Sequence, residues 1–369
     1  MIQFKLAELR KKNGLTQQEL AEVLNVSYQT ISKWENSVVF PDISLLPQIS
    51  SYFGVSVDAL LGLVPLEQEY HPSNSGRVEY WEKRLDYLKL TRKMMWNDDY
   101  FGFLVRDVWK IDKPISVLDC GCGYGSLGKM LLPLLPEGSK YVGVDFATTM
   151  IEAAKANFAD FNIDAKFILA DIMEYEPTER YDMVISQALL RHVDNGESFL
   201  RKMVNMVRTG GILVSMECNR EFEADGLYIR GMEYMRLCQH DGLKKLWQTE
   251  LEMQNRDYSI AMKIPHYMKA AGLKNVSCRM NDRVTYLEPD QPEYEELFDC
   301  CIKADHWDDE KTDKEIEENI TYFMNHGMNR KEAEDYCRQQ NGIVRYLKKN
   351  KGEVGLTKFT GVMISYGWK

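Results

Sequence analysis

"VLDCGCGYGSLG", residues 117–128, begins as an apolar run, reaches an acid at Asp119 and breaks into a turn carrying Gly121, Gly123 and Gly125. A strand that runs straight into glycines and then into a helical pattern is where α/β proteins bring backbone up to a ligand. Glycine adopts left-handed conformations without penalty and carries no Cβ. The residues from Gly123 to Gly128 also satisfy G-x-G-x-x-G, a weak signature. The turn alone leaves several nucleotide-like ligands as rivals.

Four apolar segments succeed one another at similar intervals: "ISVLD" (115–119), "YVGVD" (141–145), "KFILAD" (166–171) and "YDMVIS" (181–186). Helical stretches lie between them; in "TTMIEAAKANF", Met150, Ile151, Ala154 and Phe158 share one face. Buried-type strands alternating with helices specify a parallel sheet covered on both sides, with its ligand at the carboxyl ends of the strands. Those ends carry Asp119, Asp145, Asp171 and Ser186–Gln187. Asp145, roughly 20 residues beyond the glycines, suits the ribose of NAD or of another nucleoside. Asp119 would repel a pyrophosphate but would favour the cationic amino-acid end of S-adenosylmethionine. Asp171 is placed to accept from an adenine amine.

With "LDCGCGYG", "VGVDFA", "LADIMEY" and "YDMVISQALLRHV…GGILVSME" in this order, the chain resembles the class I S-adenosylmethionine-dependent methyltransferases over about residues 80 to 287, with a last strand at the C-terminus. The resemblance implies an α/β, Rossmann-like sheet across 80–369; residues about 220–255 and 291–352 depart from a minimal methyltransferase and read as helical lid insertions. It implies that Gly121, Gly123 and Gly125, with Tyr124 among them, admit the methionine moiety. It also implies ribose binding at Asp145, adenine contacts from Asp171 and Ile172, stacking near Phe146 with Met150 beside it, and Gln187 at the methionine end. "WNDDY" (96–100) looks like a segment of a bacterial subgroup of these enzymes.

Methyl transfer from a sulfonium relies mainly on alignment and desolvation, and needs a base only where the acceptor is protonated. His192, just past the fourth strand, is the best-placed titratable residue, since histidine titrates near neutrality. Tyr100 is a second candidate. Tyr228, Met232, Met235 and Trp247 in the first insertion either line an acceptor pocket or simply pack. The charged run "DHWDDEKTDKEIEEN" reads as a solvated helix face. No cysteine or histidine spacing marks a metal site, and the eight cysteines read as reduced structural thiols.

Ahead of this lies "GLTQQELAEVLNVSYQTISKWENS". Thr16 and Glu19 form a capping box, so a helix begins near Gln17; Ser27 caps the next, whose buried side carries Ile31 and Trp34. "FPDISLLPQISSYFGVSVDALLGL" supplies two more short helices. Residues 1–63 resemble the XRE, Cro-like helix-turn-helix DNA-binding domains. The resemblance implies a recognition helix over 27–36 reading double-stranded DNA through Ser27, Tyr28, Gln29, Ser32 and Lys33, with Gln17 as a buttress. Residues 64–79 read as a linker.

Hydrophobic residues make up 44% of the chain and aromatics 11%, which places it among globular proteins. No apolar run reaches transmembrane length and no signal pattern opens the chain, so a cytoplasmic protein without membrane contact is expected. Residues 1–63 carry Lys5, Arg10, Lys11, Lys12 and Lys33 against Glu8, Glu19, Glu22, Glu35, Asp42 and Asp58, which leaves nearly the whole net charge of −10 on the remainder. Such a body repels phosphate backbones and argues against nucleic acid as its substrate. The near-neutral reader would gain affinity as a homodimer on a palindrome. The expected activity is methyl transfer to a small molecule, with self-regulation through the DNA reader. The competing function is a regulator whose methyltransferase-like domain senses the cofactor without turnover. A DNA methyltransferase is disfavoured because "SQALLRH" lacks a proline after the fourth strand and the chain has no Pro-Cys. An NAD oxidoreductase stays open on the glycines alone.

Overall fold

The computed structural model describes residues 4–13, 15–53, 55, 57–63, 77–97, 99–159, 161, 164–238 and 240–369, without the side chains of Lys12, Ser51 and Arg77. The chain divides into two compact units, Met1–Tyr70 and His71–Lys369. Most of the segment read as a linker lies outside the described residues. Its last part does not: helix Arg77–Glu82 already belongs to the second unit.

The first unit is all helical. Thr16 accepts from the Glu19 N–H while the Glu19 carboxylate accepts from the Thr16 N–H, and this reciprocal cap starts helix Gln17–Val23. Ser27 accepts from the Thr30 N–H at the head of helix Tyr28–Glu35. Leu20, Leu24, Ile31 and Trp34 meet Phe4, Leu6, Leu9, Ile49 and Leu60 in a single core. Leu46–Phe53 and Val57–Leu60 supply the two further helices.

The second unit holds β1 (Ser116–Cys120), β2 (Lys140–Asp145), β3 (Asp164–Leu169), β4 (Tyr181–Gln187), β5 (Val207–Cys218), β6 (Leu227–Ile229), β7 (Lys274–Met280), β8 (Val284–Leu287), β9 (Leu356–Phe359) and β10 (Val362–Trp368). Seven of these form one sheet in the order β3-β2-β1-β4-β5-β10-β7. β1 to β5 are parallel, and β10 runs antiparallel between β5 and β7. A dinucleotide-binding sheet would continue parallel past its fifth strand; the reversed strand gives this sheet the class I methyltransferase arrangement. Alternate residues bury on opposite faces: Val117, Met183, Ile185 and Val214 pack beneath Phe101, Leu104 and Leu127, whereas Leu118, Val144, Val184 and Leu213 pack against Leu200, Met203 and Ile264. Strand order reverses at β1, so the switch point opens beside the glycine turn.

The insertions are less purely helical than the sequence pattern implies. β6, inside 220–255, pairs with β9, which also pairs with β8, giving a second, three-stranded antiparallel sheet. "GLTKFTGVMISYGWK" is thus two strands in two sheets. Helices Tyr294–Ala304, Asp313–Asn325 and Arg330–Lys349 complete this cap, with a core around Ile229, Leu287, Phe298 and Leu347. The charged run is largely a solvated face, as its pattern predicts, apart from Trp307. Trp307 is buried, Asp309 pairs with Lys348 at 2.8 Å and Glu310 with Arg345 at 2.7 Å. All eight cysteines are free thiols.

Candidate active site

The glycine turn is built from the strand ends upward. Gly121 and Cys122 donate to the Val144 carbonyl at 2.9 and 3.0 Å, continuing the β1–β2 ladder by one step. The chain then rises through positive φ at Gly123 (52°) and Gly125 (78°). Asp145, the last residue of β2, accepts from the Gly123 N–H and from the Ala147 N–H, each at 2.9 Å. Its carboxylate therefore fixes both the turn and the start of the next loop. A Cβ at Gly123 would meet no heavy atom of the described residues within 4 Å, so open space lies beside this backbone. At Gly125 a Cβ would press on Phe158, Ala154 and Phe167 at 3.1 to 3.4 Å, so there glycine serves packing.

Asp119 is buried under this turn and accepts from the Tyr141 hydroxyl. Burial, helped by nearby Asp145, pushes its carboxyl up to about 7, against the opposing Tyr141 hydrogen bond. Asp171 lies two residues past β3 and accepts from the Met173 N–H at 2.9 Å, turning the chain so that Ile172 is buried. Phe146 is half-buried and Met150 fully buried on the first turn of helix Thr148–Phe158. Gln187, at the end of β4, donates to the Met95 sulfur at 3.1 Å. The Tyr124 carbonyl accepts from the Asn157 side chain at 2.9 Å.

Helix Arg77–Glu82, which carries Tyr80, lies against the loops beside this turn. The Glu82 carboxylate accepts from the Thr148 N–H at 2.7 Å and the Thr149 N–H at 3.3 Å, an anion at a helix N-terminus. One residue earlier, Trp81 meets the His192 ring edge-on with centroids 5.0 Å apart. The helix therefore touches the loops that follow both β2 and β4.

His192 sits in the short turn Leu190–His192 after β4 and is buried. Burial first, then Arg191, Arg256 and Arg220, hold its pKa well below the ordinary value, so the ring is neutral at neutral pH. Arg191 Nη2 lies 3.3 Å from His192 Nε2. A guanidinium only donates, so Nε2 is the acceptor and the ring proton sits on Nδ1. The nitrogen expected to act as a base is thus engaged by Arg191. Tyr100 does not join this group. Its hydroxyl donates to the Met280 carbonyl at 2.5 Å, on β7, three strands from β4, and its ring stacks on Trp96.

Sequence reasoning missed Glu217, near the end of β5. Its Oε1 accepts from the Leu189 and Leu190 N–H groups, each at 2.8 Å, and holds the whole turn that carries Arg191 and His192. Burial pushes this carboxyl up to about 7, although the two backbone hydrogen bonds oppose the shift. Of the insertion residues, Tyr228 and Met235 are exposed, Met232 packs on the cap core, and Trp247 stacks on Tyr258 at 6.0 Å.

In the first unit Tyr28, Gln29 and Lys33 are exposed along helix Tyr28–Glu35, with Ser27 at its head and Ser32 half-buried. Gln17 is turned inward. Its amide donates to Glu35 Oε2 at 2.7 Å, while Arg10 grips both oxygens of Glu35 at 2.6 and 2.9 Å. This triad ties helix Leu6–Lys12 to the base of the exposed helix.

Residues 111–263 match the family described as Methyltransferase domain and residues 6–60 the family described as Helix-turn-helix. The chain therefore joins an XRE-type helix-turn-helix domain to a methyltransferase domain of the class I fold. A ubiquinone biosynthesis O-methyltransferase of a Bradyrhizobium species is 31% identical over 121 residues, 33% of this chain and 47% of that protein. One from Mesorhizobium japonicum is 34% identical over 123 residues, 33% of this chain and 48% of that protein. The chain thus spans less than half the length of these curated relatives. Among solved structures, phosphoethanolamine N-methyltransferase 2 of Haemonchus contortus, in complex with S-adenosyl-L-methionine, aligns with a TM-score of 0.45 at 12% identity, over 80% of this chain and 60% of that one. Among the described residues, no helix is long and apolar enough to cross a membrane.

Proposed function

We propose that the second unit binds S-adenosylmethionine at the glycine turn and transfers its methyl group to a small-molecule acceptor, and that the first unit binds double-stranded DNA. One observation carries the reading of the second unit. Asp145 locks the turn at Gly123 above buried Asp119 at the topological switch point, with open space beside Gly123. These residues fit the group. A buried carboxyl here gains its charge most readily beside a cation, such as the amino-acid end of S-adenosylmethionine. Gly121, Gly123, Tyr124 and Gly125 would face the methionine portion, Asp145 the ribose, and Phe146, Met150, Asp171 and Ile172 the adenine, with Gln187 bordering the methyl.

When bound, S-adenosylmethionine supplies an electrophilic methyl on a positively charged sulfur. The chain contributes alignment and exclusion of water: Trp81 and Glu82 close one side, and the Glu217-held turn closes the other. His192 is poorly placed as a base, because its Nε2 faces Arg191, and buried Glu217, whose Oε1 is committed to two backbone N–H groups, positions the turn.

Titration calorimetry with S-adenosylhomocysteine tests the cofactor site. Binding that is lost on Asp145→Ala is expected, and no binding to the native chain overturns the reading. The fused DNA reader favours a second reading, in which cofactor occupancy sets operator affinity without turnover. An acceptor screen with labelled methyl donor separates the two. For the first unit, Gln29 and Lys33 reach base edges and phosphates, and two copies on a palindrome offset the lack of net positive charge. That pairing suits an enzyme that controls its own gene.

A further inference from the structure

Past the ends of β4 and β5, where the inserted helices begin, lies a group of arginines that methyl transfer itself does not require. Tyr258 is its centre. Arg256 and Arg191 place their guanidinium carbons 5.0 and 5.7 Å from the Tyr258 ring centroid. The Arg220 N–H donates to the Tyr258 carbonyl at 3.3 Å. Two of the three arginines have acids. Arg220 pairs with Glu223, and Arg256 lies 3.5 Å from Glu250, a carboxylate that also accepts from the hydroxyls of Tyr258 at 2.6 Å and Tyr322 at 2.8 Å.

Arg191 is different. Among the described residues no carboxylate lies within ion-pair distance of it, its Nε is shut off from solvent without a hydrogen-bond partner, and its Nη2 faces only His192. Burial and the two neighbouring arginines disfavour its charge, yet arginine stays protonated in proteins. Glu217, which holds the turn from beneath, offsets that charge only in part, because both of its hydrogen bonds go to backbone. A guanidinium with idle donors, crowded by two like charges, is costly unless an anion completes it.

The position ties this group to the methyl-transfer site. Leu189, two residues before Arg191, packs so closely on the glycine turn that a Cβ at Gly121 would stand 2.9 Å from its Cδ1. We infer that Arg191, with Arg220 and Arg256 beside it, receives an anionic group of the methyl acceptor, a carboxylate or a phosphate, and so selects an acidic small molecule over its neutral counterpart. The inference rests on the methyltransferase reading given above.

The test is calorimetry on the full chain saturated with S-adenosylhomocysteine, titrated separately with inorganic phosphate and with benzoate. One of the two anions is expected to bind; phosphate points to a phosphorylated acceptor and benzoate to a carboxylated one. Arg191→Gln is expected to weaken that binding by about tenfold or more, the loss of a charge-assisted hydrogen bond, and Arg191→Lys to restore part of it. S-adenosylhomocysteine affinity of both variants should stay native, and Arg191→Gln should melt no lower than the native chain. Binding of neither anion to the native chain overturns the inference, as does equal binding to Arg191→Gln. Failure of S-adenosylhomocysteine itself to bind would instead overturn the reading on which the inference rests.

Discussion

The Tyr141 hydroxyl donates to Asp119 Oδ2 at 2.5 Å, directly beneath the turn that Asp145 anchors. Even with this hydrogen bond, burial pushes the Asp119 carboxyl up to about 7. Its folded pKa lies above the unfolded value, so the native state binds this proton more tightly. The stability it contributes is full in acid, falls as pH rises from about 4 to about 7, and is gone above that. Asp119→Asn keeps an acceptor for Tyr141 and removes the charge. It should raise the melting temperature by several degrees near pH 8 and leave it nearly unchanged near pH 4. It should also weaken S-adenosylmethionine binding, since a cationic ligand then loses its counter-charge. Melting curves whose mutant-minus-native difference is flat with pH would refute the assignment.

Gly123 and Gly125 both have positive φ, yet they predict different losses. Alanine at Gly125 meets Phe158, Ala154 and Phe167, so strain and overpacking add, and a destabilisation of about 2–3 kcal/mol is expected. Alanine at Gly123 meets open space and bears only the cost of its conformation, about 1 kcal/mol. It would nevertheless put a methyl where the ligand approaches. Gly123→Ala should fold and fail to bind S-adenosylhomocysteine, whereas Gly125→Ala should lose stability first. Unfolding curves and calorimetry on the same two samples check the contrast.

Glu217→Gln keeps a carbonyl oxygen for the Leu189 and Leu190 N–H groups, so the turn carrying Arg191 should persist. It removes a carboxylate that titrates at about 7. Its folded pKa lies above the ordinary carboxylate value, so the native carboxylate costs stability as pH rises toward about 7. The variant should melt higher than the native chain near pH 8 and nearly alike near pH 4, with cofactor affinity unchanged. A mutant-minus-native difference that is flat with pH would refute the shift.

What could be read from the sequence follows the range of the interactions involved. The capping box at Thr16 and Glu19 and the glycine turn after Asp119 are local patterns, and local patterns write themselves into consecutive residues. The second sheet was invisible because β6 and β8 are only three and four residues long and meet only through β9, far along the chain. Glu217 reads as one polar residue closing an apolar strand; only the fold puts the Leu189 and Leu190 N–H groups against it. Arg191 in a short turn, Arg220 at the head of a helix and Arg256 in a loop meet at a point no periodicity encodes. His192 shows a further limit. Its place after β4 was readable, but the donor that occupies its Nε2 is a neighbour whose direction only the folded turn sets.

The helix-turn-helix unit separates contact from support in the same way. Glu35 is held by Arg10 and Gln17, and these hydrogen bonds, with Arg10 first among the partners, keep its carboxyl below the ordinary value although burial acts the other way. Its depressed pKa means that the stability it contributes is present above the unfolded value and lost as pH falls through the folded one. Glu35→Ala should therefore lower the melting temperature at neutral pH, by roughly 1–3 kcal/mol of stability, and much less in acid. Gln29→Ala and Lys33→Ala leave that triad intact and should not change melting. Selection of duplexes from a random pool by the native chain should return an inverted repeat. On that sequence Gln29→Ala should lose about 1–3 kcal/mol and tolerate substitution at one position per half-site. Lys33→Ala should weaken all duplexes more evenly and flatten the salt dependence. If neither change alters binding while Glu35→Ala abolishes it at full fold, helix Tyr28–Glu35 is not the reading face.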